Sequence, residues 1–391
     1  MHTNLTVAAT LPKDADRAAL AGRIWRPQVS GPSVVAVRGD HVYDITRHAA
    51  TMRDLAERPD AAKIVRDGAG DRIGALADIL ANTPEAGRDD NKPWLLAPVD
   101  LQAIKAAGVT FARSMLERVI EEQAKGAPEK AAAIRGEVER SLGGDLRQLK
   151  PGSAQALALK KTLIEQGAWS QYLEVGIGPD AEIFTKCQPM AAVGHGMAAG
   201  LHPGSTWNNP EPEVVLVVSS AGRSVGATLG NDVNLRDFEG RSALLLSKAK
   251  DNNASTVIGP FVRFLDQDFT LDVVRRIVVS LKVEGEDGFV LSGRSSLAEI
   301  ARDPADLVQQ MLGRHHQYAD GAVLFLGTMF APTEDRDAKG QGFTHKPGDI
   351  VTISAPELGC LASIMTHSTK APPWTFGTGA LMRNLAQRGL I

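Results

Sequence analysis

The sequence predicts an α+β fold, a mixed β-sandwich roll preceded by a small α+β N-terminal domain. Three observations predict it. Short β-branched runs recur between turns instead of alternating with regular helices, which argues for a mixed roll rather than a parallel sheet. One long stretch, residues 115–166, is rich in Ala, Glu, Lys, Arg and Leu and reads as a helical insertion among the strands. A polar linker, Asp89-Asp90-Asn91-Lys92-Pro93, sets a front part, residues 1–100, apart from residues 101–391.

In chain order, residues 1 to about 20 read as a loosely held arm. Ser33-Val34-Val35-Ala36-Val37, a Gly39-Asp40 turn and Val42-Tyr43-Asp44-Ile45 spell a hairpin. Residues 51–57 and 73–81 have helical spacing. His41 and His48 are expected at the surface. After the linker, residues 104–111 form a short strand. The helical insertion follows, broken at Pro128 and at Gly143-Gly144. Residues 172–201 return to β-type sequence. Gly194, Gly196 and Gly200 within them miss the spacing of a dinucleotide loop, and no helix pattern follows. Residues 269–281 read as a strand with Arg275-Arg276 at its middle. Asp303-Pro304 starts a helix, an N-cap with proline in the first turn. Residues 322–326 and 349–354 are strands, and the adjacent His315-His316 are expected at the surface.

At 391 residues the chain is long enough for one large domain and a smaller one. Its 43% hydrophobic and 23% charged residues are ordinary for a globular protein. A net charge of −3 without a Lys/Arg-rich run argues against a nucleic-acid partner. No segment is long and apolar enough to span a membrane, and residues 1–7 lack the pattern of a leader. Cys187 and Cys360 are too few for a disulfide framework, so a reducing cytoplasm is expected. Cys187 is expected to be inert despite its neighbour Lys186.

The chemistry concentrates in residues 207–238. Glu211 and Glu213 open a strand that continues as Val214-Val215-Leu216-Val217-Val218, and a second strand ends at Gly230-Asn231-Asp232. Side chains two apart on a strand share a face. Both glutamates therefore leave one side of the sheet, and a hairpin returns Asp232 to the same end. Three converging carboxylates repel one another unless a cation neutralises them, and all-oxygen donors suit Mg²⁺, Mn²⁺ or Ca²⁺. The alternative is an acidic strand end paired with surface Arg and Lys. Asp237 is expected to pair with Arg236 rather than to act as a fourth ligand.

The Glu-x-Glu strand followed by Gly230-Asn231-Asp232-Val233 and Arg236-Asp237 resembles the fumarylacetoacetate hydrolase superfamily. Further motifs follow in the family's order: Ile183-Phe184-Thr185-Lys186, Lys250 ahead of Gly259-Pro260, Gly327-Thr328, and Lys346-Pro347-Gly348-Asp349. The resemblance covers the chain from about residue 95 onward. It implies Mg²⁺ held by Glu211, Glu213 and Asp232. It also implies Gly327 and Thr328 at the substrate carboxylate, Lys186 near the site, and a homodimer or homotetramer joined through the roll.

The resemblance implies that the helical insertion is a lid, and its start departs from the family's hydrolases. Those carry Gly-x-Asn-Tyr-x-x-His-x-x-Glu after the first strand, and the His and Glu activate water. Here the stretch runs from Gly108 through Thr110, Phe111, Arg113 and Ser114 to Glu117. Ser114 replaces the His, and a neutral hydroxyl is no general base near neutral pH. Pro210-Glu211-Pro212-Glu213, Ser247-Lys248-Ala249-Lys250, Arg294-Ser295-Ser296 and Gly321-Ala322-Val323-Leu324 resemble instead the 2-keto-3-deoxy sugar acid dehydratases of the same superfamily. That resemblance implies dehydration of a 2-keto-3-deoxypentonate, an anionic 2-oxo sugar acid, to 2-oxoglutarate semialdehyde. Glu117, Lys250 or a metal-held water would exchange the protons, with the Lys250 pKa lowered beside the cation. Arg113 and Ser114 would meet substrate hydroxyls, and Ser295 and Ser296 would line the polar wall. Two rivals stand beside it: a hydrolase of 2,4-diketo acids, and a non-catalytic module that binds a 2-oxo acid.

Overall fold

A computed structural model describes residues 3, 5–125, 127, 130, 149–165, 167 and 169–391. The front of the chain supplies β1 (Leu20–Arg26), β2 (Gly31–Arg38), β3 (His41–Asp44), β4 (Asp71–Ala75) and β5 (Trp94–Leu96). Then come β6 (Ala103–Gly108), β7 (Glu182–Cys187), β8 (Ala198–Leu201), β9 (Pro212–Val218), β10 (Ser224–Asp232) and β11 (Thr256–Phe264). The last strands are β12 (Val278–Glu284), β13 (Val290–Ser296), β14 (Ala322–Phe325), β15 (Ile350–Ala355) and β16 (Gly359–His367).

They form two sheets. The larger has the order β4-β3-β2-β1-β11-β10-β9-β14-β6-β7, with β5 also on β1; the smaller has the order β13-β12-β15-β16-β8. The β14–β6 and β16–β8 pairs are parallel and their neighbours antiparallel, so both sheets are mixed, as expected. The linker at residues 89–93 is not a break in the large sheet, because Leu20 and Ala21 of β1 pair with Arg263 and Val262 of β11.

β9 shows how the core is built. Val214, Leu216 and Val218 face the layer between the sheets, where they meet Leu281 and Val283 of β12 and Ile353 of β15. Val215 and Val217 face the opposite layer, under residues of helices Met52–Glu57 and Ala61–Asp67. A strand buried on both faces must be apolar at every position. Each such side chain contributes about 1.5–3 kcal/mol on burial, so the hairpin that carries the acidic residues is held rigidly.

Several local expectations are corrected. The N-terminal arm is clamped from Leu5 onward. Thr6 caps the helix Val7–Thr10, Thr10 Oγ1 lies 3.2 Å from His195 Nε2, and Asp14 takes two hydrogen bonds from buried Arg263 at 2.8 and 2.7 Å. Residues 73–75 belong to β4, and the helix there is only Leu76–Ala81. Residues 171–177 are a helix capped by Ser170, not a strand. The expected strand at 269–281 is a one-turn helix, Leu271–Val274, followed by β12. Arg275 lies at the helix end, where Asp272 and Asp303 both bind it at 2.6 Å. The helix Thr378–Gln387 at the C-terminal end carries no motif and was not anticipated. Asp303 caps Pro304–Met311 as predicted, accepting the Ala305 N–H at 2.8 Å. The lid contributes helices Ala112–Ala124 and Ala154–Glu165. Its expected breaks at Pro128 and Gly143-Gly144 lie outside the described residues.

Candidate active site and metal centre

The β9–β10 hairpin sets the register of the acidic cluster. Pro212 pairs with Asn231 and Glu213 with Gly230, and the Asp232 N–H donates to the Glu211 carbonyl at 3.1 Å. Glu211, Glu213 and Asp232 are buried, and one carboxylate oxygen of each lies within 4.8 Å of the others. This is the convergence expected from the sequence.

The cluster is wrapped in cations from three other elements. Lys250 Nζ lies 2.6 Å from Glu211 Oε2 and 3.1 Å from Asp232 Oδ1. Lys186 Nζ lies 3.2 Å from Asp232 Oδ1 and donates to the Lys250 and Ser255 carbonyls at 2.6 and 3.0 Å. Arg118, from the first lid helix, donates to Glu211 Oε1 at 2.7 Å and to Glu121 at 2.8 Å, and it reaches Glu239 at 2.9 Å. Glu213 has no ion pair among the described residues; its Oε2 accepts the Gly327 N–H at 2.6 Å.

Electrostatics follow from burial. Burial, then the charges of Asp232 and Glu211, push the Glu213 carboxyl well above its ordinary range. Burial pushes Glu239 up to about 7 against the pull of Arg118. Burial also raises Glu182. Burial alone would lower Lys250, but Asp232 and Glu211 hold it above its ordinary value. The lowering expected from the sequence belongs to a neighbouring cation and not to the carboxylates. The donor set fits a hard divalent ion: three buried, convergent carboxylates, with one of them raised by burial and then by the other two.

A cavity of about 40 Å³ opens beside the triad. Glu211, Glu213, Asp232, Lys250, Ser114, Glu117, Gly327 and Thr328 all line it. Ser114 donates to the Phe111 carbonyl at 3.0 Å, and the Thr328 hydroxyl accepts the Phe330 N–H at 3.1 Å. Gly327 has φ +86, and a Cβ there would stand 2.1 Å from Thr110 Oγ1, so only glycine keeps the turn that presents its N–H.

Other expected wall residues lie elsewhere. Lys186 is wholly buried behind Asp232, where it balances charge instead of forming the wall. Arg113 is exposed and lines a neighbouring cleft with Ser296, because it lies one residue off the lid face that looks inward. Ser295 points into the interior and accepts the Met329 N–H at 3.1 Å. Asp237 pairs with neither the triad nor Arg236; it accepts from Ser205 and Thr206 at 2.8 Å. Cys187 is buried and its thiol is pushed up to about 11, which makes it inert. His48, His315 and His316 are exposed.

The sequence reading missed Arg118, Glu121, Glu182, Arg236 and Glu239, all of which line the cavity. One signal for the first two was present. Ser114, Glu117, Arg118 and Glu121 recur at spacings of three and four, which is one face of a helix. Arg236 joins that face by donating to Glu121 at 2.7 Å, and it sits 3.6 Å from Glu117.

Residues 156–365 match the model of the fumarylacetoacetate (FAA) hydrolase C-terminal family, and the chain belongs to this family. Over 333 residues it is 27% identical to a Haloferax volcanii protein named probable 2-keto-3-deoxyxylonate dehydratase, covering 85% of this chain and 95% of that one. Over 183 residues it is 30% identical to 2-dehydro-3-deoxy-D-arabinonate dehydratase of Saccharolobus solfataricus, covering 46% and 57%. The fold is also that of 2-keto-3-deoxy-D-arabinonate dehydratase complexed with magnesium and 2,5-dioxopentanoate, with a TM-score of 0.61 at 20% identity over 89% of this chain and 98% of that one.

Proposed function

We propose that this protein is a Mg²⁺-dependent hydro-lyase that converts a 2-keto-3-deoxypentonate to 2-oxoglutarate semialdehyde. The observation that carries the reading is a buried carboxylate triad with Lys250 beside it, under a lid face where Ser114 is bonded to its own helix. The named dehydratases among its relatives support the same reading. Glu211, Glu213 and Asp232 hold the cation. When bound, it supplies Lewis acidity that acidifies the C3 protons beside the C2 ketone.

The chain's own groups then move protons. A base takes one C3 proton, the C4–O bond breaks, and the hydroxide leaves as water with a proton from an acid. The enone shifts a proton from C5 to C3, and the resulting enol is protonated at C4 to give the aldehyde. Glu117 lines the same cavity from the lid and would accept, while Lys250, held as the ammonium by Asp232 and Glu211, would donate. Glu182 and Glu239, both raised by burial, are placed to donate. Gly327, bonded to Glu213, and Thr328 line the same cavity and would orient the substrate carboxylate. The protein works in the cytoplasm as a homodimer or homotetramer.

Hydrolysis of a 2,4-diketo acid is the rival reading, and it needs a base at the position of Ser114. The test is a coupled assay with both substrate classes. Aldehyde formed from 2-keto-3-deoxypentonate, reported as NADH through an aldehyde dehydrogenase, supports the proposal. Pyruvate released from an acylpyruvate, without any aldehyde, overturns it.

A further inference from the structure

On the face of the β6–β7 pair opposite Glu182 lies a second cavity, of about 730 Å³. Alternation along β7 separates the two. Glu182 and Phe184 line the catalytic cavity, Ile183 lines the other one, and the two share no residue. A volume of this size suits a metabolite more than a single ion.

Its wall is built around Lys105. That lysine is only 9% exposed and pairs with Thr185 across the strands. Its Nζ donates to Thr185 Oγ1 at 2.9 Å and stands 5.7 Å from the centroid of the Tyr318 ring. No carboxylate pairs with it among the described residues, and burial lowers its pKa with no charged neighbour offsetting the effect. A buried ammonium without a counter-ion is costly. Arg314, His315 and His316 line the same cavity, and Asp180 is the one carboxylate among its lining residues. The adjacent histidines, exposed as expected, stand at the rim of this cavity. Tyr318, Met311 and Ile183 give it an apolar lining for a short carbon chain.

We propose that this cavity is a second ligand site, which takes a small metabolite bearing carboxylate or phosphate groups, with Lys105 and Arg314 as its anion receptors. It is separate from the metal centre.

The test is calorimetric titration of the full chain with inorganic phosphate and with succinate, in EDTA so that neither anion is carried on a cation. Lys250→Met serves as the control for binding in the catalytic cavity. The wild type and Lys250→Met should bind at least one of the two anions with the same affinity, and the preferred anion tells phosphate from carboxylate chemistry. Lys105→Met and, on the exposed side, Arg314→Ala should each weaken that binding by roughly ten- to a hundredfold. If Lys105→Met fails to fold, Arg314→Ala alone decides. Equal binding by the receptor variants and the wild type, loss of binding in Lys250→Met, or no binding of either anion overturns the proposal.

Discussion

The Arg118 guanidinium lies 2.7 Å from Glu211 Oε1, so the first lid helix is tied directly to the carboxylate cluster. The same side chain meets Glu121 and Glu239. Removing it takes the cation from Glu239 and leaves Glu211 with Lys250 alone and Glu121 with Arg236 alone. Arg118→Met should destabilise the metal-free protein by about 3–5 kcal/mol. Saturating Mg²⁺ should restore part of the loss, because the ion neutralises Glu211. Urea unfolding with and without Mg²⁺ measures both effects.

Metal affinity rests on the triad. Glu213→Gln and Asp232→Asn should each lose stoichiometric Mg²⁺ while keeping the wild-type circular dichroism. Elemental analysis after gel filtration decides it. Retention of the ion by both variants would remove these residues from the metal centre.

Glu239 gives a stability signature with a definite sign. Its carboxyl is raised from 4.5 to about 7. The fold therefore keeps its proton where the unfolded chain has lost it. This contribution is fully present below pH 4.5 and is lost as pH rises through about 7. In EDTA, wild-type stability should fall across that window, and Glu239→Gln should flatten the fall. Glu182 and Glu213 are raised in the same direction, so some slope should remain. Thermal melts at stepped pH read the difference.

The triad was legible in the sequence because a strand has a period of two and a hairpin returns its partner to the same end. Glu211, Glu213 and Asp232 needed only local rules. Lys186 was legible as a site residue but not as a buried one, since charge balance behind Asp232 depends on how β7 packs. Glu239 lies on a one-turn helix, Arg236–Glu239, and only the docking of the lid makes it part of the cavity. The strand expected at 269–281 failed for a related reason. Val273 and Val274 look β-forming, but Asp272 and Asp303 hold Arg275 at the end of a helical turn. Short elements of this kind are decided by distant partners rather than by propensity.

Lys250 should matter for proton transfer as well as for charge. Lys250→Ala is expected to slow turnover by about 10²-fold or more, with the fold intact. Ser114→His should not raise dehydration, because elimination needs no activated water. Steady-state kinetics of both variants with a 2-keto-3-deoxypentonate tests the pair.

The central claim is elimination of water at this site. The most direct measurement is mass spectrometry of the product formed from a 2-keto-3-deoxypentonate in D₂O with Mg²⁺. The account predicts a five-carbon aldehyde lighter than the substrate by one water, with solvent deuterium at the carbon that had carried the lost hydroxyl. Unchanged sugar acid, together with cleavage of an acylpyruvate into pyruvate and a second carboxylate, would contradict it.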